Sequence, residues 1–350
     1  MNNPFSLTFG IEPKEYIIRK QLEDSVIESF ESETPSNYMY MLSGMRGVGK
    51  TVVLSSLTEY LSSKKNWVVI NVSPDMDILN VIAANLYGRS SFKRLFKDAK
   101  IDLSALGIGI SIKNSSPVYD ITVALEQLIS ELKKKDYRVL IAIDEVVNSP
   151  SVRLFAGTYQ ILLRKKLPVF LLMTGLYENI NNLQNEKTLT FLYRAPKIYL
   201  EPLSMFMIAK SYRATLGVDE DVAKEMARLT KGYAYAYQVL GYLYWDKIKE
   251  RKSGNCLNDL LDEYDATLSE YVYEKIWSEL PETELAIVTL LVKNGQMKIA
   301  DVKSALSLSD SKLSVYRDRL KRRGLIDVSQ YGRLSLLPPR FREIATFWVD

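Results

Sequence analysis

The chain has 350 residues, 47% of them apolar and 25% charged, with a formal net charge of +4; this is ordinary globular composition with room for two or three cores. It contains no histidine, which excludes Ser-His-Asp hydrolysis, histidine general bases and histidine metal sites together. The single cysteine, Cys256, leaves no internal disulfide framework and suits a reducing compartment. No apolar run approaches the ~20 residues that cross a bilayer, and no basic-then-apolar leader is present, so a cytoplasmic protein without a membrane partner is expected.

In chain order, residues 1–37 read as an irregular lead around Asn3-Pro4-Phe5 and Phe9-Gly10-Ile11-Glu12-Pro13, then helical spacing from Glu15 to Phe30. Thr34-Pro35-Ser36-Asn37 breaks that pattern before Tyr38–Leu42, an apolar, aromatic run suited to a buried strand. Gly44-Met45-Arg46-Gly47-Val48-Gly49-Lys50-Thr51 follows and fits G-x-x-x-x-G-K-[ST] without deviation. Val52, Val53, Leu54 and Leu57 then open a helix to about Ser62. Trp67–Val72 predicts a second strand, Met76–Tyr87 a helix, and Leu106–Lys113 (LGIGISIK) an inserted strand pair. Asp120 caps a helix through Lys135, and Val139–Ile143 is a third strand. A helix over Ser151–Lys166, a strand over Val169–Met173 and another over Lys197–Leu200 complete the pattern. Apolar strands alternating with amphipathic helices predict a parallel α/β sheet covered on both faces.

After Pro202 only helices are expected, over Ser204–Leu216, Asp219–Thr230 and Tyr233–Lys249. Lys252-Ser253-Gly254-Asn255 reads as a linker, and Leu257–Glu279 as one helix. The domains expected are therefore 1–37, 38–202, 203–255, 256–280 and 281–350.

The strand–glycine loop–helix context gives the first motif its chemistry. Glycines let the loop bend so that its amides converge on phosphates, and the helix N-terminus adds positive potential there. Gly44, Met45, Arg46, Gly47, Val48, Gly49, Lys50, Thr51 and Val52 are the expected nucleotide-binding residues, with Lys50 on the β- and γ-phosphates and Thr51 on Mg²⁺. Val139–Ile143 ends in Asp144-Glu145, the acidic partner such a loop needs: Asp144 for the metal, Glu145 to orient and polarise the attacking water. Thr174, at the end of the fourth strand, either contacts the γ-phosphate or the water or simply closes the strand; Asn148 lies near the same edge. Arg194 either reaches a neighbouring subunit's γ-phosphate or pairs with a carboxylate of its own chain.

From Pro281 the pattern is three helices, over Thr283–Lys293, Ala300–Leu306 and from a cap at Ser309 or Asp310 to Arg323, then short strands at Leu325–Val328 and Arg333–Leu337. That is the order of a winged helix-turn-helix. Its third helix is expected to expose Lys312, Arg317, Arg319, Lys321, Arg322 and Arg323, with Arg333 on the wing, a local basic surface suited to double-stranded DNA. The alternative is a winged helix packed against its own nucleotide domain.

Taken together, the chain resembles the AAA+ and STAND group of P-loop ATPases, close to the archaeal ATPase and origin-recognition branches with a C-terminal winged helix. The likeness rests on Gly44–Thr51 (GMRGVGKT), Ile141–Glu145 (IAIDE), Leu171–Leu176 (LLMTGL), Arg194–Ser204 (RAPKIYLEPLS), Gly232–Gly241 (GYAYAYQVLG) and Leu320–Ile326 (LKRRGLI). It implies an ATP/ADP site with Mg²⁺, a helical lid over the nucleotide and a slow ATPase switch. It also implies adenine contacts from Tyr16-Ile17-Ile18-Arg19, with Ile18 where the family usually has glycine. Gly232-Tyr233-Ala234 replaces the usual Gly-x-Pro of the lid, which leans the chain towards the STAND side.

Overall fold

A computed structural model describes residues 2–8, 13–109, 111–112, 115–250 (backbone only at Glu250) and 257–349. The backbone forms two compact units: residues 20–43 with 50–198, here the sheet unit, and residues 1–19, 44–49 and 199–350, here the helical unit.

The sheet unit runs α1 (Lys20–Glu31), β1 (Met39–Ser43), α2 (Lys50–Ser62), β2 (Trp67–Val72), α3 (Ile78–Gly88), α4 (Lys93–Asp98), α5 (Ile121–Lys133), β3 (Arg138–Ile143), α6 (Pro150–Arg164), β4 (Val169–Gly175), α7 (Tyr177–Gln184) and β5 (Lys197–Tyr199). Five strands lie in the order β2-β3-β4-β1-β5. The β1–β4, β2–β3 and β3–β4 pairs are parallel. Every residue of β4 is buried, as an inner strand covered on both faces requires. At one end Phe170 packs on Trp67 and Phe30 with ring centroids 4.9 and 5.0 Å apart. Helix starts are fixed by side-chain caps: Asp77 accepts from Asn80, Asp120 from Val123 and Ser149 from Val152, each worth about 1 kcal/mol. α1 begins at Lys20 and not at Glu15. The Glu15 carboxylate is taken by the Ser211 hydroxyl at 2.6 Å, and its carbonyl by Gln238 Nε2 at 2.6 Å, both within the helical unit.

The strand pair expected over Leu106–Lys113 is absent among the described residues; Ile110 and Lys113 lie outside them. The buried Asp102 carboxylate organises this stretch instead. It accepts from the Ser104 amide (2.9 Å) and hydroxyl (2.6 Å), the Ile112 amide (2.9 Å), and the Ser111 (3.3 Å) and Ser115 (3.2 Å) hydroxyls. A carboxylate that satisfies backbone donors locally competes with a strand ladder.

The helical unit contains α8 (Met205–Leu216), α9 (Glu220–Thr230), α10 (Ala234–Glu250), α11 (Leu261–Leu268), α12 (Glu274–Ser278), α13 (Glu282–Asn294), β6 (Met297–Lys298), α14 (Ile299–Ala305), α15 (Asp310–Arg322), β7 (Ile326–Asp327), β8 (Arg333–Leu336) and α16 (Phe341–Ala345). The linker 252–255 and Cys256 fall outside the described residues, as do Phe9–Glu12 of the lead. The single α-helix expected over Leu257–Glu279 is broken. A 3₁₀ turn (Asn258–Leu260) precedes α11, and a π turn (Ser269–Tyr273) separates α11 from α12. The wide turn shifts the apolar register and goes with a buried Tyr273, whose hydroxyl donates to Pro339 O at 2.8 Å and whose ring meets Phe341 edge-on at 5.0 Å. Helices and short strands form near the positions expected after Pro281. β6 is an unforeseen third strand in an antiparallel sheet ordered β6-β8-β7, and α16 is likewise new. Among the described residues, no helix is long and apolar enough to cross a membrane.

Candidate functional site

β1 ends at Ser43 and α2 begins at Lys50, so the glycine loop is the whole connection between a strand and a helix. Gly47 and Gly49 sit at φ of 72° and 96°, the left-handed region that favours glycine. A Cβ on Gly47 would lie 2.4 Å from the Tyr233 hydroxyl and 2.8 Å from Tyr235 Cβ. The Val48 amide donates to Met45 O at 3.3 Å and closes the turn. Lys50 is buried as the first residue of α2, with Thr51 and Val52 half-buried behind it.

Within the helical unit the loop is held from its carbonyl side. The Tyr233 hydroxyl donates to Arg46 O at 2.5 Å, the Tyr235 amide to Gly47 O at 2.9 Å, and Arg19 Nη2 to Val48 O at 3.1 Å. Arg19 Nη1 also reaches Glu201 O. Arg46 pairs with Glu279 at 3.1 Å. In the sequence Arg19 and Tyr233 stand only as letters of the Tyr16–Arg19 and Gly232–Gly241 segments. No spacing rule marks a tyrosine hydroxyl as a backbone partner 187 positions away.

In the sheet unit, β4 runs between β1 and β3, with Leu42 in register with Thr174 and Ile143 with Met173. The carboxyl ends of the strands therefore line up, the edge where open α/β sheets carry their ligands. Thr51 Oγ1 donates to Asp144 Oδ2 at 2.8 Å. The buried Thr174 hydroxyl donates to Asp144 Oδ1. The Glu145 amide donates to both Asp144 Oδ1 (3.1 Å) and Thr174 Oγ1 (3.0 Å). Glu145 has φ of 51°, a left-handed conformation that costs a non-glycine residue about 1 kcal/mol or more. Its two amide bonds hold it there, and its side chain is exposed. Thr174, for which the sequence leaves both a phosphate or water contact and a simple strand end open, spends its proton on Asp144 and reaches the site through that carboxylate.

The donor set suits Mg²⁺. Cis ligands of an octahedral ion with bonds of about 2.0–2.1 Å are about 2.9 Å apart, close to the 2.8 Å between Thr51 Oγ1 and Asp144 Oδ2. Among the described residues no three Asp, Glu, Cys or His cluster for a metal. A cation here would complete its shell from water and phosphate, as nucleotide-bound Mg²⁺ does.

The remaining candidates scatter. Ile18 is 57% exposed. Asn148 accepts from Arg153 at 3.0 Å and lies 3.5 Å from Glu186. Arg194 ends a short 3₁₀ turn over Thr190–Arg194 and is exposed.

The uniformly exposed basic face expected on α15 is not what forms. Arg323 is half-buried and pairs with Glu284 at 3.2 Å, and Arg319 approaches the same carboxylate at 3.9 Å. Glu284 itself is 1% exposed, so a buried charge has drawn Arg323 inward while Arg319 reaches towards it from an exposed position. Arg322 pairs with Asp318 at 2.8 Å and lies over the Tyr199 ring. Lys312 and Lys321 are exposed, and Arg317 and Arg333 half-buried. The end of α15 borders a cleft of about 390 Å³ whose walls include Gly44, Met45, Val48, Gly232 and Pro339.

A family model described as a domain of unknown function (DUF8462) matches residues 270–344. No curated protein matches the chain. Among solved structures, the ORC2 protein of Aeropyrum pernix in its ADPNP–ADP complexes is similar at a TM-score of 0.60 and 14% identity, over 97% of this chain and 96% of that one. Its ADP form is similar at a TM-score of 0.52 and 13% identity, over 97% and 96%. At such identities the likeness is one of fold alone: a P-loop α/β sheet followed by a helical C-terminal region.

Proposed function

We propose that the protein is a Mg²⁺-dependent ATP-binding and hydrolysing switch whose nucleotide state is passed to its C-terminal winged helix. The observation that supports this best is the Thr51–Asp144–Thr174 network, in which the hydroxyl that ends a phosphate-loop motif meets a braced carboxylate. The adenine nucleotides in the ORC2 structures of the same fold favour ATP and ADP as ligands.

Lys50 and the loop amides hold the phosphates, and Thr51 and Asp144 hold the metal. Bound Mg²⁺ supplies neutralisation of charge on the phosphate oxygens. Thr174 keeps the Asp144 carboxylate oriented, and Glu145 polarises water for attack on the γ-phosphate. Residues 203–255 act as the lid, with Ile18 at its adenine side. Arg194, exposed on the sheet unit, acts on the nucleotide of a second copy.

For the output, an intramolecular clamp is favoured over DNA binding. Arg319, Arg322 and Arg323 are tied to carboxylates of their own module, and Glu279 pairs with Arg46 of the phosphate loop. DNA contact would then rest on Lys312, Arg317, Lys321 and Arg333.

Phosphate release and equilibrium binding test this reading. Wild type binds MgATP and MgADP and turns over slowly; Lys50→Ala loses binding; Glu145→Gln binds but stops releasing phosphate. Release by Glu145→Gln at the wild-type rate would sink the hydrolytic role, and failure of wild type to bind either nucleotide would sink the whole proposal.

A further inference from the structure

Three successive carbonyls of the phosphate loop have their directions set from outside it: Arg46 O by the Tyr233 hydroxyl, Gly47 O by the Tyr235 amide and Val48 O by Arg19. A trans peptide is planar, with the C=O of one residue antiparallel to the N–H of the next. Fixing the Arg46 carbonyl therefore fixes the Gly47 N–H on the opposite side, and fixing Val48 O does the same for Gly49 N–H. Between them, the Val48 N–H opposite the held Gly47 O is the one that donates to Met45 O at 3.3 Å. Gly47 and Gly49 are the residues with least intrinsic resistance to a peptide flip. A flip at either would present a carbonyl oxygen where an anion needs a donor.

Resting on the nucleotide-binding reading above, we infer that Tyr233, the backbone at Tyr235 and Arg19 are peptide-plane locks: positioning groups that keep the loop's amides turned towards the phosphate chain. The Tyr233 side chain is suited to the part. Burial pushes its hydroxyl well above the usual tyrosine range, so it remains a donor at any physiological pH, and its ring stacks near Tyr273 with centroids 6.4 Å apart. Arg19 spans Val48 O and Glu201 O with separate nitrogens, so it ties the loop to the segment leading into α8. Because two of the three locks come from the start of α10, Tyr235 in its first turn and Tyr233 directly before it, movement of α10 away from the loop and loosening of phosphate recognition become one event, and by linkage phosphate binding holds α10 in place.

The test compares full-length wild type with Tyr233→Phe and Arg19→Lys by titration with ADP and AMP, alongside thermal unfolding. Tyr233→Phe keeps the ring and removes one donor; Arg19→Lys keeps the charge and can reach only one carbonyl. Each variant is expected to weaken ADP about three- to tenfold with AMP affinity within error of wild type, and the lost bond itself to lower the melting temperature by only a few degrees. ADP binding unchanged in both variants overturns the inference. So does an equal loss for ADP and AMP with a lowered melting temperature, which is the mark of general packing. If wild type binds neither ligand, it is the nucleotide reading that has failed and not the lock.

Discussion

Thr174→Val probes the one side chain that joins the strand edge to the acidic pair. Valine matches threonine in volume, so no cavity opens in β4 and the packing cost is near zero. What disappears is the hydroxyl's bond to Asp144 and the acceptor for the Glu145 amide at 3.0 Å. The amide keeps its 3.1 Å bond to Asp144 Oδ1, so it is not orphaned, and the loss reduces to one charge-assisted bond of roughly 1.5–3 kcal/mol. Asp144 is only half-buried, so water recovers part of this, and about 2 kcal/mol is expected. For a unit of this size that lowers the melting temperature by roughly 4–8 °C. Because Asp144 is then free to rotate away from Thr51, MgADP affinity should fall about tenfold while Mg²⁺-free ADP affinity holds. Thr174→Ser, which keeps the hydroxyl, should retain the Mg²⁺ dependence. Circular-dichroism melts and nucleotide titrations with and without Mg²⁺ measure both effects. A valine variant as stable as wild type, or one that loses Mg²⁺-free and Mg²⁺-bound affinity equally, refutes the argument.

Gly47→Ala puts a Cβ 2.4 Å from the Tyr233 hydroxyl at φ of 72°; the backbone alone costs about 1–2 kcal/mol, and MgADP affinity should drop at least about tenfold, with retained affinity in calorimetry counting against it. Glu284→Gln leaves Arg323 and Arg319 without their buried carboxylate and should cost about 3 kcal/mol, at the low end for a broken buried pair because Arg319 is half exposed; urea unfolding followed by tryptophan fluorescence measures it, and a midpoint within error of wild type contradicts it. The Ser104 hydroxyl, followed by the amides of Ile112 and Ser104, holds the Asp102 carboxyl well below the usual carboxylate range. Its folded pKa is thus depressed, so its stabilisation is present above about 4 and is lost as pH falls through the folded value. Melts of wild type and Asp102→Asn should therefore differ most near neutral pH and converge in acid; a gap constant with pH would show that the hydrogen bonds do not depend on ionisation.

Most of the sheet unit was legible in the sequence. Apolar runs at Val139–Ile143 and Val169–Met173 became the inner strands β3 and β4 because a covered parallel strand has no polar face to disguise it, and the run at Trp67–Val72 became the edge strand β2. The strand pair expected at Leu106–Lys113 failed because alternation in LGIGISIK says nothing of Asp102, whose five donors come from Ser104, Ser111, Ile112 and Ser115, within that stretch and just outside it. The π turn at Ser269–Tyr273 was invisible because one inserted residue leaves both flanking patterns helical. At the candidate site, Thr51, Asp144 and Glu145 were nameable from spacing but their mutual hydrogen bonds were not, and the carbonyl partners of Arg46 and Gly47 lie nearly two hundred positions away and that of Val48 29 positions away.

The same limit applies to α15, where charge could be counted but not its ties. If Lys312, Arg317, Arg319, Lys321, Arg322, Arg323 and Arg333 all met phosphates, log affinity for duplex DNA would fall with log salt at a slope of about −6. Arg319 and Arg323 are engaged by Glu284, and Arg322 by Asp318; freeing the pair on Glu284 would strand a carboxylate that is 1% exposed, at a cost of several kcal/mol. Phosphate contacts on a solvated surface do not recover that. Any DNA binding should therefore show a slope no steeper than about −4, and neutralising Lys312 or Arg317 should flatten it by about one unit each while neutralising Arg323 lowers stability instead. Fluorescence anisotropy across a salt series decides the matter: a slope near −6 would mean that the Glu284 ties open on binding, and that α15 is a nucleic-acid surface whose cations are only stored in the form described here.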